Sequence, residues 1–571
     1  GSEEVTKNYQ EALKWYRKAA DQGHDGAGEQ IILLTHVSKN FLSNLISQAE
    51  KGDIAIQSYL GDIYYYGWGI DKDYQKALET YQKAAKKEHS HAQFQIGEIY
   101  FNGWGVTKDY QKALEAYEKA ADQGHIDVKH QLEKLITQSE NNVEQLPNGE
   151  KILTQLKSPN DTLDLTYCYL NADHITNLMN EPFFTIQLNK KHTLYLYGNQ
   201  IGASGVQELA KVLHKSQIHT LDLVNNEIDA AGAKELAMVL PQSQIHTLNL
   251  TGNNIGDSGI QNLAKTLPQS QIHTLDLSST YIGAPGAKEL AMLLPQSKIH
   301  TLNLTGNNIG DSGIQDLAKT LLQSKIHTLD LSSTYIGAPG AKELAMVLPH
   351  SQIHTLNLAS NNIGTPGIQE LAKALPLSQI HTLNLRSNKI GDIDIQELAK
   401  TLPQSRIHTL NLSHNNIYSS SIQILIKALP RTQIHMLNLW NNNIGDSGAK
   451  ELANALPQTQ IRTLNLWNNN IGDSGAQELA KVLPLSKIHT LELRSNKIGS
   501  LGAMELAKVL PQSKIQTLDL SSSWISGSGA QELAKALPQS KIQTLDLSSN
   551  WIGDETQSLL SKQFPHIKFI F

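Results

Sequence analysis

From Leu194 onward, apolar and polar positions return in the same order every 27 residues. One unit reads IHTLNLTGNNIGDSGIQNLAKTLPQSQ and runs from Ile245 to Gln271. Its first part, I-H-T-L-N-L, alternates apolar and polar residues, which predicts a half-buried strand. Its second part, S-G-I-Q-N-L-A-K-T-L, spaces apolar residues by three and four, which predicts a helix. Each repeat is therefore predicted to contain one strand and one helix.

No insertion interrupts this register, and an irregular earlier copy begins at Thr162. A strand and a helix of this size cannot bury their apolar faces alone, so consecutive units must stack. Strands pack about 4.8 Å apart whereas helices need about 10 Å, so the stack must curve with its strands inside. The second leucine of the unit lies at Leu194, Leu221, Leu248, Leu275, Leu302, Leu329, Leu356, Leu383, Leu410, Leu437, Leu464, Leu491, Leu518 and Leu545.

The turn between strand and helix carries N-x-I-G-D-S-G. In the unit quoted above, we expect Asp257 or Ser258 to cap the helix, Gly256 to allow a tight turn and Pro268 to end the helix. The predicted shared core of this unit consists of Ile245, Leu248, Leu250, Ile255, Leu263 and Leu267.

The pattern L-x-L-x-x-N-x-I-G-x-x-G followed by a helix resembles the ribonuclease-inhibitor class of leucine-rich repeats, over residues 161–571. The resemblance implies an α/β horseshoe with a parallel sheet inside and helices outside. The repeat itself breaks off near the end, so Asp554, Glu555 and the tail 564–571 are predicted to form a C-terminal cap. The resemblance also implies a ladder of asparagines that bind backbone groups inside the turns. Thr280, Thr334 and Ser523 must replace asparagine with a hydroxyl. The ladder asparagines are Asn199, Asn226, Asn253, Asn307, Asn361, Asn388, Asn415, Asn442, Asn469, Asn496 and Asn550.

A different period governs the start of the chain. The segment LGDIYYYGWGIDKDYQKALETYQKAAKKEH, from Leu60, returns 36 residues later, and a partial copy opens at Tyr9. Small and aromatic residues recur at helical spacing, at Ala77, Tyr81 and Ala84 in the first copy. This pattern resembles the Sel-like branch of the tetratricopeptide repeats, which implies an all-α solenoid.

The two periods divide the chain into three parts. Sel-like helices are predicted for 1–137, with a degenerate repeat at 25–53, and the leucine-rich solenoid for 161–571. The more polar stretch 138–160 is predicted to be a linker or cap. The opening Gly-Ser pair is typical of an expression vector and a repeat follows at once, so we expect the natural chain to begin earlier.

Composition narrows the function further. A net charge of −6 with 18% charged residues gives no electrostatic case for nucleic acid. The single cysteine, Cys168, excludes a disulfide framework and a thiolate metal cluster. No stretch reaches the roughly 18 apolar residues of a membrane-spanning helix. No phosphate-binding loop, cofactor motif or unique acid–base pair occurs, so we expect no cofactor and no catalytic residues.

One column of histidines follows the inner wall of the predicted sheet, at a spacing of about 5 Å. Neighbouring imidazoles could hold a metal ion or sense pH, because crowded imidazolium ions repel each other. Duplication of a tolerated histidine explains the uniform column better, so no metal site is predicted. The column comprises His192, His219, His246, His273, His300, His327, His354, His381, His408 and His435, with His489 later.

One region of the inner wall departs from the repeat. Trp440 and Trp467 occupy a column where most repeats carry Ser, Thr or Ala, and arginines share this column nearby. Exposed Trp beside Arg is typical of interface hot spots. Alternatively, the two tryptophans stack on each other or fill an oligomer contact. The predicted partner-binding residues are Trp440, Trp467, Arg386, Arg494, Arg462, His414, Met436 and Glu492.

A secondary patch is predicted on the adjoining turn column, at Tyr281, Tyr335, Trp524 and Trp551. The two tryptophans either extend a binding surface or shield the last repeats. In the Sel-like segment, Trp68 and Trp104 are predicted to pack within their loops.

Preformed solenoid surfaces favour protein ligands, and both families are known mainly as adaptor and recognition modules. A non-catalytic protein-interaction scaffold is therefore predicted, resembling effectors that intracellular bacteria direct at host proteins. The cytoplasm or a host cytosol is the expected compartment. The alternatives are a regulator of a partner enzyme, such as a small GTPase or hydrolase, and a pH or metal sensor.

Overall fold

A computed structural model of the chain describes residues 15–16, 18–19, 39–68 and 70–571. The described strands form one sixteen-stranded sheet whose order follows the chain. Two compact units can be distinguished, one of residues 1–164 with 173–191 and one of 165–172 with 192–571. The first part of the degenerate repeat predicted at 25–53, up to residue 38, lies outside the described residues.

The first unit is mainly helical. Consecutive helices pack in pairs, as the Sel-like pattern predicts, with α2 on α3 and α4 on α5. Its elements are α1 (Lys39–Glu50), α2 (Ile54–Tyr66), α3 (Tyr74–Ala85), α4 (Ser90–Asn102), α5 (Tyr110–Asp122), α6 (Val128–Glu144), α7 (Gly149–Lys157), β1 (Thr162–Asp164), α8 (Ala172–Asn180) and α9 (Pro182–Leu188).

Glycine and tyrosine fit together where these helices cross. A Cβ atom on Gly61 would lie 2.5 Å from the Tyr81 ring, and one on Gly97 would lie 2.4 Å from the Tyr117 ring. Both tyrosines are fully buried, and the Tyr81 hydroxyl donates a hydrogen bond to Asp62 at 2.7 Å. Glycine therefore permits a close approach that any larger residue would block.

The loop tryptophans pack on tyrosines, as predicted. Trp104 stacks on Tyr74 with ring centroids 5.3 Å apart, and Trp68 stacks on Tyr66 at 4.9 Å. These contacts account for the indole rings within the helical repeats.

The segment 138–160, predicted as linker or cap, is mostly helical. Helix α6 continues to Glu144 and α7 covers Gly149–Lys157, with Val143 and Ile152 buried. Residues 173–191 belong to the first unit because α9 packs on α6 and α7. The division therefore differs from a simple cut at residue 160.

The second unit contains the 27-residue repeats. Its strands are β2 (Thr193–Tyr195), β3 (Thr220–Asp222), β4 (Thr247–Asn249), β5 (Thr274–Asp276), β6 (Thr301–Asn303), β7 (Thr328–Asp330), β8 (Thr355–Asn357), β9 (Thr382–Asn384), β10 (Thr409–Asn411), β11 (Met436–Asn438), β12 (Thr463–Asn465), β13 (Thr490–Glu492), β14 (Thr517–Asp519), β15 (Thr544–Asp546) and β16 (Lys568–Ile570).

A helix follows each strand of the second unit up to β15, and helices of successive repeats pack on one another. They are α10 (Gly202–Leu213), α11 (Ala230–Val239), α12 (Gly256–Thr266), α13 (Ala284–Leu293), α14 (Gly310–Leu321), α15 (Ala338–Val347), α16 (Gly364–Ala374), α17 (Asp392–Thr401), α18 (Ser419–Leu425), α19 (Gly445–Ala455), α20 (Asp473–Val482), α21 (Gly499–Val509), α22 (Gly527–Ala536) and α23 (Asp554–Gln563).

The repeats pair in parallel and in register, so equivalent residues stand side by side. Leu410 lies opposite Leu383 and Leu437, for example. The leucines of this column are at most 1% exposed, and so are all six residues of the predicted core unit. The residues on either side of each leucine are half-buried, apart from the exposed Tyr195 and Met436. These two columns, together with the histidine column and the column three residues after each leucine, form what we call the inner face. The predicted shared apolar core is confirmed.

The asparagine ladder is also confirmed. Asn307 Nδ2 donates to the carbonyls of Leu277 and Leu304 at 2.7 and 2.9 Å. Its Oδ1 accepts from the backbone N–H groups of Thr280 and Ile282 at 3.1 and 2.9 Å. At Thr280 the shorter hydroxyl donates to Leu277 O at 2.6 Å, as predicted. One side chain thus satisfies buried backbone groups in two repeats.

The predicted helix cap was wrong in one respect. Helix α12 begins at Gly256, whose φ is +61°, so Asp257 falls inside the first turn and caps no group of its own helix. The Asp257 carboxylate instead accepts from the backbone N–H groups of Gly283 and Gly286, which begin the next helix. Pro268 lies in a short 3-10 turn directly after α12, as expected.

The C-terminal tail completes the stack, as predicted. Strand β16 pairs in parallel with β15, and Phe564 and Ile567 are buried beside it. None of the helices in the described ranges offers the long apolar stretch that crossing a bilayer demands.

Candidate partner-binding site on the inner face

One column of the inner face lies three residues after the second leucine of each repeat. In five successive repeats it contains Arg386, Ser413, Trp440, Trp467 and Arg494. Strands β9 to β13 are consecutive and in register, so these residues stand side by side. The sequence therefore places two tryptophans between two arginines on one wall.

The two indole rings stack on each other. The ring centroids of Trp440 and Trp467 are 4.3 Å apart, and the planes differ by 11°. The Arg386 guanidinium carbon lies 4.6 Å from the Trp440 centroid, and that of Arg494 lies 4.7 Å from the Trp467 centroid. Because the arginines come from opposite sides, they cover the two outer ring faces. We call these four residues the Arg–Trp stack.

Ser413 explains how Arg386 reaches Trp440. It stands between them in the column and is fully buried, so the small side chain leaves room for the arginine to cross. The backbone N–H of Trp440 donates to Asn438 Oδ1 at 2.9 Å, and that of Trp467 donates to Asn465 Oδ1 at 2.9 Å. Both tryptophans are only half-buried, so their edges remain accessible on the inner face.

His414 supports the stack from the neighbouring column. Its ring meets Trp440 edge-on, with centroids 4.2 Å apart at 82°. Its Nδ1 lies 2.8 Å from Asn441 Nδ2, and its buried Nε2 bonds to no described residue. Burial and the charge of Arg386 both lower the pKa of His414. A neutral ring that accepts at Nδ1 carries its proton on Nε2.

The other predicted partner-binding residues lie nearby but outside these contacts. Met436 is exposed at the start of β11, and Arg462 is exposed in the histidine column. Glu492 accepts a hydrogen bond from Asn465. Burial and Asp519 raise the pKa of Glu492, and the bond from Asn465 opposes this shift.

The secondary patch divides into two places on one turn column. Trp524 and Trp551 stack at 6.5 Å between centroids and are largely exposed. Tyr281 and Tyr335 are about three-quarters exposed, at 73% and 72%, and lie far from them in the sheet order. The structure thus brings together the tryptophans but not all four aromatic residues.

The histidine column forms a ladder of rings, with neighbouring centroids 5.1 to 5.4 Å apart from His192 to His435. Burial, followed by the neighbouring imidazoles, lowers the pKa of His219, His300 and His381. Within the described part of the chain, no three His, Cys, Asp or Glu side chains gather as metal ligands.

Sequence reasoning missed Ser413, Asn441 and Asn468. Asn468 Nδ2 donates to Asn441 Oδ1, and Asn441 in turn contacts His414, so the two amides hold the imidazole in place. Ordinary Ser and Asn residues gave no signal, because their role depends on the Arg, Trp and His beside them.

Comparison with known families agrees with both repeat periods. The family model described as Sel1 repeat matches residues 1–24, 57–89 and 90–125. The model described as Leucine Rich repeat matches 214–237, 245–264, 296–318, 323–345, 352–372, 380–399, 435–453, 459–480, 485–507, 512–534 and 539–555. None of the curated proteins matches the chain significantly.

Solved structures with similarity include two leucine-rich proteins. An internalin from Listeria monocytogenes is 19% identical, covers 63% of this chain and 86% of its own, and has a TM-score of 0.36. A leucine-rich repeat protein from Leptospira interrogans is 20% identical, with 74% and 98% covered and a TM-score of 0.39. A Sel1 repeat protein from Oxalobacter formigenes is 28% identical, with 20% and 91% covered and a TM-score of 0.15. The family matches and the repeating sheet together identify the chain as a leucine-rich repeat protein with Sel1 repeats at its N-terminus.

Proposed function

We propose that this chain is a non-catalytic scaffold that binds a protein partner on the inner face of its sheet. The Arg–Trp stack carries the proposal, because folding of the repeat does not require it. The core leucines of the same repeats are already buried, and most other repeats place Ser, Thr or Ala in this column. Trp and Arg side chains that are partly or fully exposed at one place are typical of binding hot spots.

The repeat families support an interaction role. Sel1 and leucine-rich repeats are typical of protein-interaction scaffolds, and each repeat here presents the same preformed backbone. A rigid solenoid has already lost its conformational entropy before it meets a partner. The contacts within the Arg–Trp stack also restrict its side chains before a partner binds, which lowers the entropy cost of binding.

We also propose that the protein acts in a cytosol, either in the cell that makes it or in a host cell. Cys168 is the single cysteine of the chain and is buried, which fits a reducing compartment. The pairing of two repeat types that resemble adaptor modules supports an effector that acts on host proteins.

Site-specific photo-crosslinking tests the proposal. Met436 and Met292 are both exposed methionines, but Met436 lies on the inner face and Met292 lies on helix α13. Each is replaced in turn by p-benzoylphenylalanine, the chain is irradiated in host-cell extract, and products are identified by mass spectrometry. We expect one dominant protein product from position 436, lost in the Trp440→Ala/Trp467→Ala background, and none from position 292.

Equal labelling from both positions, or labelling that persists without the two indoles, would contradict the proposed site. If the captured protein is an enzyme, its turnover with and without the chain distinguishes a scaffold from a regulator. A small GTPase or a hydrolase whose rate changes at least severalfold would establish the regulatory alternative.

A further inference from the structure

A second column of the inner face follows the second leucine directly and contains Asp or Asn in most repeats. Aspartate and asparagine alternate from Asp222 in β3 to Asn357 in β8. Five consecutive asparagines then occupy β8 to β12, and carboxylates return from β13. The column consists of Tyr195, Asp222, Asn249, Asp276, Asn303, Asp330, Asn357, Asn384, Asn411, Asn438, Asn465, Glu492, Asp519 and Asp546.

In the flanking repeats, a neighbouring carboxylate takes the asparagine amide. Asn303 Nδ2 donates to Asp276 at 2.9 Å, and Asn357 Nδ2 donates to Asp330 at 2.7 Å. At the other border Asn465 donates to Glu492. Each asparagine of the column that has a carboxylate in an adjacent strand therefore donates its amide to one such carboxylate.

The three asparagines between these borders have no such partner. The Oδ1 atoms of Asn384, Asn411 and Asn438 accept the backbone N–H groups two residues later, at 3.0, 3.0 and 2.9 Å. These bonds fix each amide, so each Nδ2 group faces the inner face as a donor. None of the three Nδ2 groups bonds to another described residue, and all three side chains are half-buried.

The positive charges nearby are also unpaired. Among the described residues, Arg386, Arg462 and Arg494 form no ion pair, whereas the ion pairs present join Lys or His to Asp or Glu. The Nε of Arg386 is buried without a hydrogen-bond partner. A guanidinium stacked on a ring keeps its N–H groups directed in its own plane, where they can bind a carboxylate in bidentate fashion.

The stack disfavours a nucleic-acid ligand. Aromatic residues bind single-stranded nucleic acid by offering a ring face to a base. Here each indole has its partner ring on one side and a guanidinium on the other, so no face is left for a base.

We propose that the inner face between β9 and β13 binds a carboxylate-rich peptide segment of the partner, whose acidic side chains take the three free amides and the arginines. This inference rests on the proposed function and specifies its ligand. The partner's carboxylates accept the amide hydrogen bonds that carboxylates of the chain itself accept in the flanking repeats. Apolar residues beside the acidic run contact Met436 and the edges of the indoles.

A labelled peptide tests this recognition. The probe is a fluorescein peptide with four consecutive glutamates flanked by leucines, and its glutamine analogue is the reference ligand. Fluorescence anisotropy at low salt should give a Kd about tenfold or more lower for the glutamate peptide. Binding should weaken as salt is added, because the charges are partly screened. Equal affinity for the two peptides, or displacement of the glutamate peptide by a thymidine decanucleotide, would overturn the inference.

A charge variant of the column gives the matched control. Asn411→Asp supplies the missing carboxylate, and the fold accepts aspartate there because Asp276 and Asp330 accept the same backbone N–H bond. We expect Asn411→Asp to weaken glutamate-peptide binding about tenfold or more by filling the amides and repelling the ligand. Asn454→Asp makes the same charge change on exposed helix α19 and should leave the Kd unchanged within about twofold.

Binding of the partner protein by these variants distinguishes a failure of this inference from a failure of the proposed function. Loss of partner binding in Trp440→Ala/Trp467→Ala with full binding in Asn411→Asp would retain the site and reject the acidic ligand. Full binding in both variants would reject the site and the ligand together. Loss in both variants, with Asn454→Asp unaffected, is the expected result.

Discussion

Asp257 accepts a hydrogen bond from the backbone N–H of Gly283, in the next repeat, at 2.7 Å. The same carboxylate oxygen accepts from Gly286 at 3.0 Å. Asp311 and Asp446 make the equivalent pairs of bonds. An acidic side chain at a helix N-terminus satisfies free N–H groups and offsets the helix dipole. These aspartates therefore stabilise contacts between repeats as well as single helices.

Asp257→Ala should lower the free energy of unfolding by about 1 kcal/mol, the usual effect of losing an N-terminal cap. Urea denaturation followed by circular dichroism measures the change. Ser258→Ala is the control, since the Ser258 side chain lies on the same turn and caps no helix. A loss from Ser258→Ala as large as that from Asp257→Ala would contradict the assigned cap.

Asn307→Ala should be more damaging, by about 3 kcal/mol or more, because it leaves several buried backbone groups without partners. The adjacent exposed Asn308→Ala should change stability by less than about 0.5 kcal/mol. Thermal unfolding of the two variants beside the unaltered chain provides the comparison. Similar midpoints for both variants would mean that the ladder contributes little.

The histidine ladder should make stability depend on pH. Because the folded state lowers the pKa of His219, His300 and His381, the unfolded chain binds more protons just below the ordinary value of 6.5. The contribution of these groups is therefore complete above pH 6.5 and is lost as the pH falls toward the lower folded pKa. We expect the urea midpoint to decrease between pH 7 and 5.5.

Glutamine provides the matched variant, since Gln516 and Gln543 occupy the same column in later repeats. Replacing His219, His300 and His381 together by Gln should flatten this part of the pH profile. A profile as steep as that of the unaltered chain would assign the dependence to other groups.

Arg386→Gln should raise the pKa of His414. The guanidinium disfavours a second positive charge beside it, and removing its bulk also exposes the imidazole, so both effects act in the same direction. The NMR signal of the His414 ring is identified because the His414→Asn variant lacks it. Its chemical shift is then followed as a function of pH. Arg431→Gln, at an exposed position, is the control and should leave the titration unchanged. An unchanged pKa in Arg386→Gln would show that the two side chains do not interact in solution.

The fold could be predicted in detail because every repeat carries the same alternation of buried and exposed positions. Ile245 and Leu248 reveal the core and Asn307 the ladder, since each reports a role that recurs. The cap at Asp257 could not be predicted in the same way. Helix α12 begins at Gly256, at least two residues earlier than a cap at Asp257 would require, so the Asp257 carboxylate reaches the neighbouring repeat. Periodicity does not distinguish contacts within a repeat from contacts between repeats.

The candidate site was predictable only where it breaks the repeat. Trp440 and Trp467 are conspicuous in a column of small residues, so the sequence alone indicated them. Ser413 and Asn411 are ordinary residues of the repeat, and their roles come from what stands beside them. The free amide of Asn411 results from the absence of a neighbouring carboxylate, which becomes visible once the columns are aligned in space.

The affinity of the chain for the partner identified by crosslinking tests the central claim most directly. Isothermal titration calorimetry should give a Kd roughly a hundredfold higher for Trp440→Ala/Trp467→Ala than for the unaltered chain, as for a hot-spot pair. The control Met292→Ala/Met346→Ala removes two exposed apolar side chains on helices α13 and α15 and should retain the affinity. An unchanged Kd for the tryptophan variant, with its circular dichroism spectrum intact, would contradict binding at the Arg–Trp stack.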